Sequence, residues 1–374
     1  MRIVHIISGL GTGGAEMMLY RLVNELHAHQ HFVVSLTSNG TLGRKLSAVG
    51  CDVYVLNFRG FLGFVSFFRL WALLRRVRPD VVQTWMYHAD LVGAIVGRLA
   101  GINCVIWNLR NTKIPQGRFS PTYFVINFCK FISNSLPHKI VCCANSVLDE
   151  HARIGYSRSK LIVIPNGYQI GEFEPADKKK RIELRHFLDI PQNTKVVGIV
   201  GRYDVLKGYD IFVRAAGLLT NKHSDRLLFL AVGRNVDEHN TELIGLIRKF
   251  APDARFILLG ERDNISELMQ VMDIFCLASR AEGFPNVVAE AMLVKVPCVV
   301  TDVGDARYIV GSTGMVVNPE DPLALADALD SMLSIDESAR RELGVAARCR
   351  IEQHFGIASI AAQYESLYLS LENS

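Results

Sequence analysis

Apolar residues along this chain come in short runs of strand length, each followed by a longer segment with helical spacing. "RIVHIIS", "HFVVSLTS", "DVVQTW", "CVIWNLR", "KIVCCA" and "LIVIP" make one series; "KVVGIVG", "RLLFLAVG", "RFILLG", "DIFCLAS", "PCVVTDV" and "GMVV" make a second. The runs are continuously apolar rather than alternating. That predicts strands covered on both faces, as in parallel sheets with helices on each side. Between the series lies the charged, proline-bearing stretch "GEFEPADKKKRIELRHFLDIPQNTK". It reads as a hinge over 170–193. The pattern therefore predicts an α/β chain of two doubly wound, Rossmann-like domains, 1–169 and 194–356, facing a cleft. A last helix over 357–374 carries Ile360, Tyr364, Leu367 and Leu371 at helical spacing, a stripe that must pack on something.

A length of 374 residues suits two α/β domains, and 49% hydrophobic with 21% charged residues excludes a disordered chain. The eight cysteines show no C-x-x-C and no His/Cys ligand cluster, and most sit in apolar runs, as expected of buried, reduced thiols in the cytoplasm. No signal peptide is expected, because the apolar run after Arg2 is broken by glycines and Glu16. The most apolar window, "FLGFVSFFRLWALL", contains Arg69 and is shorter than the roughly 20 residues that span a bilayer. Charge changes the picture more. Residues 1–168 carry 18 Lys and Arg against 7 Asp and Glu; the remainder carries 23 against 30. The first half should favour anionic surfaces or ligands.

Candidate chemistry starts at "SGLGTGGAE", where Gly9, Gly11 and Gly14 match the dinucleotide fingerprint G-x-G-x-x-G. A nicotinamide site also needs an acid about 20 residues on, yet no Asp or Glu lies between Glu25 and Asp52. What remains is a glycine loop before a helix start, which lets backbone approach a ligand or simply makes a tight turn.

The stronger constellation is "SRAEGFPNVVAEAM", which spaces Glu282 and Glu290 as E-x7-E. Pro285 fits a first helical turn after the strand "DIFCLAS". Glu282 then falls in the strand-to-helix loop and Glu290 one turn inside the helix, both toward the carboxyl edge where open sheets bind ligands. Amides around Phe284–Asn286 add positive character there. Carboxylates suit vicinal hydroxyls and helix-start amides suit phosphate, so a sugar nucleotide offers both; two solvated glutamates would give the same spacing. In "GRYDVLKG", Arg202 and Lys207 follow the first strand of the second domain, two cations suited to a diphosphate. No carboxylate-rich metal cluster accompanies them.

With "GGAE", "PNG" (165–167), "GRYDVLKG", "EGFPNVVAEAM" and "TDVG" in this order, the sequence resembles retaining glycosyltransferases of the GT-B fold, family 4, over nearly its whole length. The resemblance implies that Glu290 holds the donor ribose and that Glu282 binds the transferred sugar. Arg202 and Lys207 would stabilise the departing nucleotide. Phe284, Pro285, Asn286 and Val287 would line the donor site, with Gly13 and Gly14 approaching from the other domain. It further implies transfer from a UDP- or GDP-sugar to an acceptor hydroxyl with retention, no metal or other cofactor, and a last helix that returns to the first domain. Front-face return and a covalent intermediate would need the same charge stabilisation. A GT-B nucleotide-sugar epimerase and a non-catalytic nucleotide-sugar-binding subunit are the alternatives; the intact Glu and cation motifs speak against the latter.

In the first domain, "PDVVQTWMYHADLVG" places His88 and Asp90 at the carboxyl edge, with His88 a candidate catalytic residue although Gln83 and Trp85 occupy the strand end where a histidine is more usual. Arg110 and Asn111 follow the next strand, Arg110 as a candidate for an acceptor phosphate or the donor. The segment "FRGFLGFVSFFRLWALLRRVRPD" reads as an interfacial helix. Phe61, Phe64, Phe67, Phe68 and Trp71 would embed while Arg69, Arg75, Arg76 and Arg78 meet anionic headgroups. A core helix with a basic end is the plainer reading. An acceptor on a polyprenyl diphosphate or lipid core, in bacterial surface polysaccharide synthesis at the inner face of the cytoplasmic membrane, fits the first; nucleic acid fits no motif.

Overall fold

The computed structural model describes residues 1–58, 62–112, 120–223 and 226–372. Its contacts divide it into two units, Met1–Gln169 with Phe355–Ser374, and Ile170–His354. The first unit runs β1 (Arg2–Ile7), α1 (Gly14–Glu25), β2 (Gln30–Ser35), α2 (Gly40–Ala48), β3 (Asp52–Val55), α3 (Leu62–Val77), β4 (Val81–Trp85), α4 (Tyr87–Leu99), β5 (Val105–Leu109), α5 (Pro121–Ile132), β6 (Lys139–Cys142), α6 (Asn145–Ile154) and β7 (Leu161–Val163). Its sheet is parallel in the order β3-β2-β1-β4-β5-β6-β7. Central β4 and β5 are buried at every position, which is why their runs are continuously apolar.

The C-terminal helix Ile357–Glu372 belongs to this unit. Its Ile357, Ile360 and Tyr364 join Met18, Leu19 and Leu22 of α1 in one core, and each such side chain contributes about 1.5–3 kcal/mol by leaving water. The Tyr368 hydroxyl donates to Gln83 of β4.

The second unit contains α7 (Lys178–Phe187), β8 (Lys195–Val200), α8 (Tyr209–His223), β9 (Leu227–Val232), α9 (Thr241–Phe250), β10 (Arg255–Leu258), α10 (Ile265–Met269), β11 (Ile274–Leu277), α11 (Asn286–Leu293), β12 (Cys298–Thr301), α12 (Ala306–Val310), β13 (Gly314–Val317), α13 (Pro322–Ser334) and α14 (Glu337–Phe355). Its parallel sheet has the order β10-β9-β8-β11-β12-β13.

The stretch 170–193, read as a hinge from its charge and proline, is instead built into this unit. Asp177 caps α7 by accepting from the Lys180 amide at 2.8 Å. Arg181 reaches Asp273 at 3.2 Å, and the buried Arg185 donates to the carbonyls of Val271 and Thr194. Two of its arginines, Arg181 and Arg185, thus tie the stretch to the rest of the unit. Seven cysteines are buried and Cys349 is exposed, all as free thiols. No helix among the described residues is long and apolar enough to cross a membrane.

Candidate functional site

In each sheet the strand order reverses beside the first strand of its unit, between β1 and β4 and between β8 and β11. Loops leaving the carboxyl ends of such neighbours diverge to opposite faces and leave a crevice. In the second unit, the loop after β8 carries Arg202 and Lys207, and the loop after β11 carries Glu282. The topology thus joins two motifs that lie 75 residues apart.

Lys207 Nζ donates to Glu282 Oε1 at 2.7 Å, and Ser279 Oγ donates to the same oxygen at 2.6 Å. Ser279 is fixed in turn, its carbonyl accepting from Thr301 Oγ1 at 2.7 Å. Two glycines allow this closeness. Gly208, with φ +66°, would put a Cβ 1.9 Å from the Ala278 carbonyl oxygen; Gly304, with φ +57°, would put one 2.6 Å from that of Glu282. Arg202 is exposed, with Nε 3.2 Å from Asp204. Pro285 is the N-cap of α11, so Asn286 and Val287 open the helix and Glu290 lies just over one turn inside, half-buried; Phe284 is buried behind them. Among the described residues, no group of three or more His, Cys, Asp or Glu is placed to hold a metal.

Arg280 was not singled out by the sequence, where it is one arginine in a loop. Its Nη1 and Nη2 hold Asp210 at 2.7 Å each, its Nη1 also reaches the Val205 carbonyl at 2.7 Å, and its Nε meets Glu320 at 2.6 Å. The backbone N–H of Arg280 donates to the Leu206 carbonyl at 2.7 Å. The short helical turn Val205–Lys207 is thereby clamped on both sides of Lys207. The guanidinium also holds the Asp210 carboxyl below the ordinary range.

In the first unit, Gly13 is the N-cap of α1, Gly14 its first residue, and both are exposed. Glu16 folds its carboxylate back over Gly13, where a Cβ would come within 2.4 Å of Oε2, and burial pushes its carboxyl up. After β4, Met86 adopts φ +73°, a left-handed conformation that costs a non-glycine residue about 1–2 kcal/mol. His88 follows it, exposed on the first turn of α4, which begins at Tyr87. Asp90 is buried, accepts from Thr84 Oγ1 at 2.6 Å, and burial raises its carboxyl to about 7. Met86 gave no signal in the sequence, and the raised carboxyl of Glu16 gave none beyond its place in "GGAE", since strain and burial depend on what packs around them.

Arg110 is drawn inward. It donates to Asn166 and, at 2.8 Å, to the Tyr364 hydroxyl, with its guanidinium 4.9 Å from the Trp85 ring centre. Asn111 is exposed. On α3, Ser66, Leu70, Leu73, Leu74 and Val77 face the core, whereas Phe64, Phe68, Trp71, Arg69, Arg75 and Arg76 are exposed, followed by exposed Arg78. Phe67 is half-buried, and Phe61 lies outside the described residues.

Comparison with known proteins bears on the fold and the family. Residues 12–171 match the family described as Glycosyltransferase Family 4, and residues 194–334 that of Glycosyl transferases group 1. The chain is 24% identical over 314 residues to the UDP-Gal:alpha-D-GlcNAc-diphosphoundecaprenol alpha-1,3-galactosyltransferase of Escherichia coli, covering 82% of this chain and 79% of that one. It is 25% identical over 330 residues to the capsular polysaccharide biosynthesis glycosyltransferase CapM of Staphylococcus aureus, covering 82% and 81%. Anabaena Alr3699/HepE, solved in complex with UDP and glucose, superposes with a TM-score of 0.85 at 22% identity over 99% of this chain and 100% of that one. The fold is that of the GT-B glycosyltransferases, and the two halves of the chain match the family 4 and group 1 models in turn.

Proposed function

We propose that this glycosyltransferase moves a sugar from a UDP- or GDP-sugar to a hydroxyl of a lipid-linked saccharide, with retention and without a metal, in surface polysaccharide synthesis. The observation that carries the reading is the Lys207–Glu282 contact at the switch point of the second sheet, with Arg202 on the same loop as Lys207. A cation and a carboxylate held together at a sheet's carboxyl edge suit a ligand that is diphosphate at one end and polyol at the other.

The bond from the anomeric carbon to the diphosphate oxygen breaks as the bond to the acceptor oxygen forms, and the acceptor proton leaves with the nucleotide or to water. Lys207 and Arg202 stabilise the negative charge that grows on the diphosphate. Glu282 accepts hydrogen bonds from the sugar hydroxyls, and Glu290 holds the ribose. The start of α11 at Phe284, Pro285, Asn286 and Val287 lies against sugar and phosphate. In the first unit, Gly13, Gly14 and His88 serve the acceptor side. Arg110 reaches substrate only by giving up Asn166 or Tyr364. The E. coli relative's diphosphoundecaprenol acceptor and the UDP bound by the Anabaena protein support this choice of ligands. The exposed aromatic and basic face of α3 supports contact with the anionic inner face of the cytoplasmic membrane.

Purified protein given each nucleotide sugar, with polyprenyl-diphosphate saccharides in vesicles and EDTA present, should release nucleoside diphosphate in step with glycosylated lipid. Release without a glycosylated product, or an absolute need for divalent cation, would count against it.

A further inference from the structure

Helices α3, α4 and α5 lie side by side on one face of the first sheet, α3 packed on α4 and α4 on α5. This follows from right-handed crossovers that all step in one direction across β4, β5 and β6. The flanking helices each turn an aromatic stripe outward. On α5, Phe124, Phe128 and Phe131 recur at i, i+4 and i+7 with exposures of 59%, 49% and 82%, while Ile126 and Cys129 fill the inner side. On α3 the matching residues are Phe64, Phe68 and Trp71, at 71%, 51% and 38%. Leu99, 61% exposed at the end of α4, lies beside Trp71, whose Nε1 donates to its carbonyl at 3.3 Å. Stripes of this spacing ordinarily face a core, and their exposure on two helices marks a contact surface.

Charge says what covers it. The charged residues of the two helices are all basic and exposed, Arg69, Arg75 and Arg76 on α3 and Lys130 on α5. Neither α3 nor α5 contains an acidic residue. A second copy pairing through this same face would meet it with like charge, whereas an anionic bilayer complements both its charge and its aromatic rings.

We propose that α5 is the second half of a two-helix platform that seats the first unit on an anionic bilayer. Phe124, Phe128 and Phe131 enter the acyl boundary as Arg69, Arg75, Arg76 and Lys130 meet the headgroups. This rests on the membrane reading already given for α3. One helix can roll about its axis on a surface; two cannot. The platform therefore fixes the angle at which the carboxyl edge of the first sheet meets a lipid-linked acceptor.

The three tryptophans provide the test, because Trp85 and Trp107 are fully buried and Trp71 is exposed. Vesicles of phosphatidylglycerol brominated along the acyl chains should quench Trp71 in the unaltered protein. In Trp71→Phe with Phe128→Trp, they should quench the relocated reporter as well. Phosphatidylcholine vesicles should quench neither at physiological salt. Replacing Phe124, Phe128 and Phe131 together with Ser should lower partitioning onto anionic vesicles by about tenfold or more. Quenching of Trp71 without quenching at 128 would overturn the role of α5 and leave α3 as the membrane helix. Quenching of neither would remove both. Self-association without lipid that the triple Ser change abolishes would assign the face to a second copy. The Phe128→Trp change is conservative, so the reporter result stands even where the Ser variant folds poorly.

Discussion

Replacing Arg280 with Ala should weaken both the second unit and the reaction. Three side-chain contacts are lost. The Glu320 carboxylate is 59% exposed, so that pair contributes close to nothing. The paired bonds to Asp210, whose side chain is 33% exposed, and the bond to the Val205 carbonyl are worth together about 2 kcal/mol. In a unit of this size that lowers Tm by about 4–8 °C. Catalysis should suffer more, because the clamp fixes the turn that presents Lys207 to Glu282. A displacement of about 1 Å at a reacting group costs about a hundredfold, so kcat should fall tenfold to a hundredfold with a smaller change in KM. Arg280→Lys, which cannot make the paired contact, should lie between.

Initial rates of nucleotide release, taken well below the variant's Tm, separate this effect from unfolding. The pH dependence adds a check that a generic loss of packing would not show. Asp210 is held below its ordinary carboxyl range, first by the hydrogen bond from Arg280. Its contribution to stability is therefore fully present above the unfolded value of about 3.9 and lost as pH falls through the folded value. The Tm gap between Arg280→Ala and the unaltered protein should narrow on going from pH 6 to pH 3. A kcat within threefold of normal, with a pH-independent Tm gap, would refute the clamp.

Other outcomes follow from the same geometry. Glu290→Gln should raise KM for the donor, since a ribose contact is equal in ground and transition states, while Glu282→Gln should mainly lower kcat; the reverse pattern in steady-state kinetics would exchange the two roles. Changing Arg75, Arg76 and Arg78 to Ser should weaken co-sedimentation with anionic vesicles while donor affinity measured by calorimetry stays unchanged, each cation contributing on the order of 1 kcal/mol; equal sedimentation would leave these residues without a membrane role. Burial lowers His31 to about 4, and it packs 3.1 Å from the equally buried His5. The unfolded chain therefore binds more protons below about pH 6.5, and stability should fall as pH drops from there toward 4; chemical denaturation of His31→Gln should show a shallower slope over that window.

Much of this was legible beforehand because parallel sheets buried on both faces leave continuous apolar runs. All six runs of the second series became β8 to β13, and the six of the first became strands of the first sheet. The seventh strand, β3, escaped notice because it is four residues long at a sheet edge and no residue in it is fully buried. In the stretch 170–193, composition alone cannot distinguish a solvated arginine from Arg185, whose charge ends on backbone carbonyls inside the unit. Glu282 and Lys207 could be picked out from spacing, since strand-to-helix loops put them at one edge. Arg280 and the strained Met86 could not, because their parts depend on neighbours distant in sequence. The stripe on α5 was visible in principle as Phe124, Phe128 and Phe131, but only exposure separates a surface stripe from a core one.

The central claim is that Lys207 and Glu282 form the working end of a sugar-nucleotide site. Its most direct test is transfer of labelled sugar to a lipid-linked saccharide in EDTA by the unaltered protein and by Lys207→Ala. The account predicts robust transfer by the former and a loss of about a hundredfold or more in kcat for the latter, the scale of removing one preorganised charge from a developing anion. A Lys207→Ala protein that is folded and within threefold of full activity would contradict it.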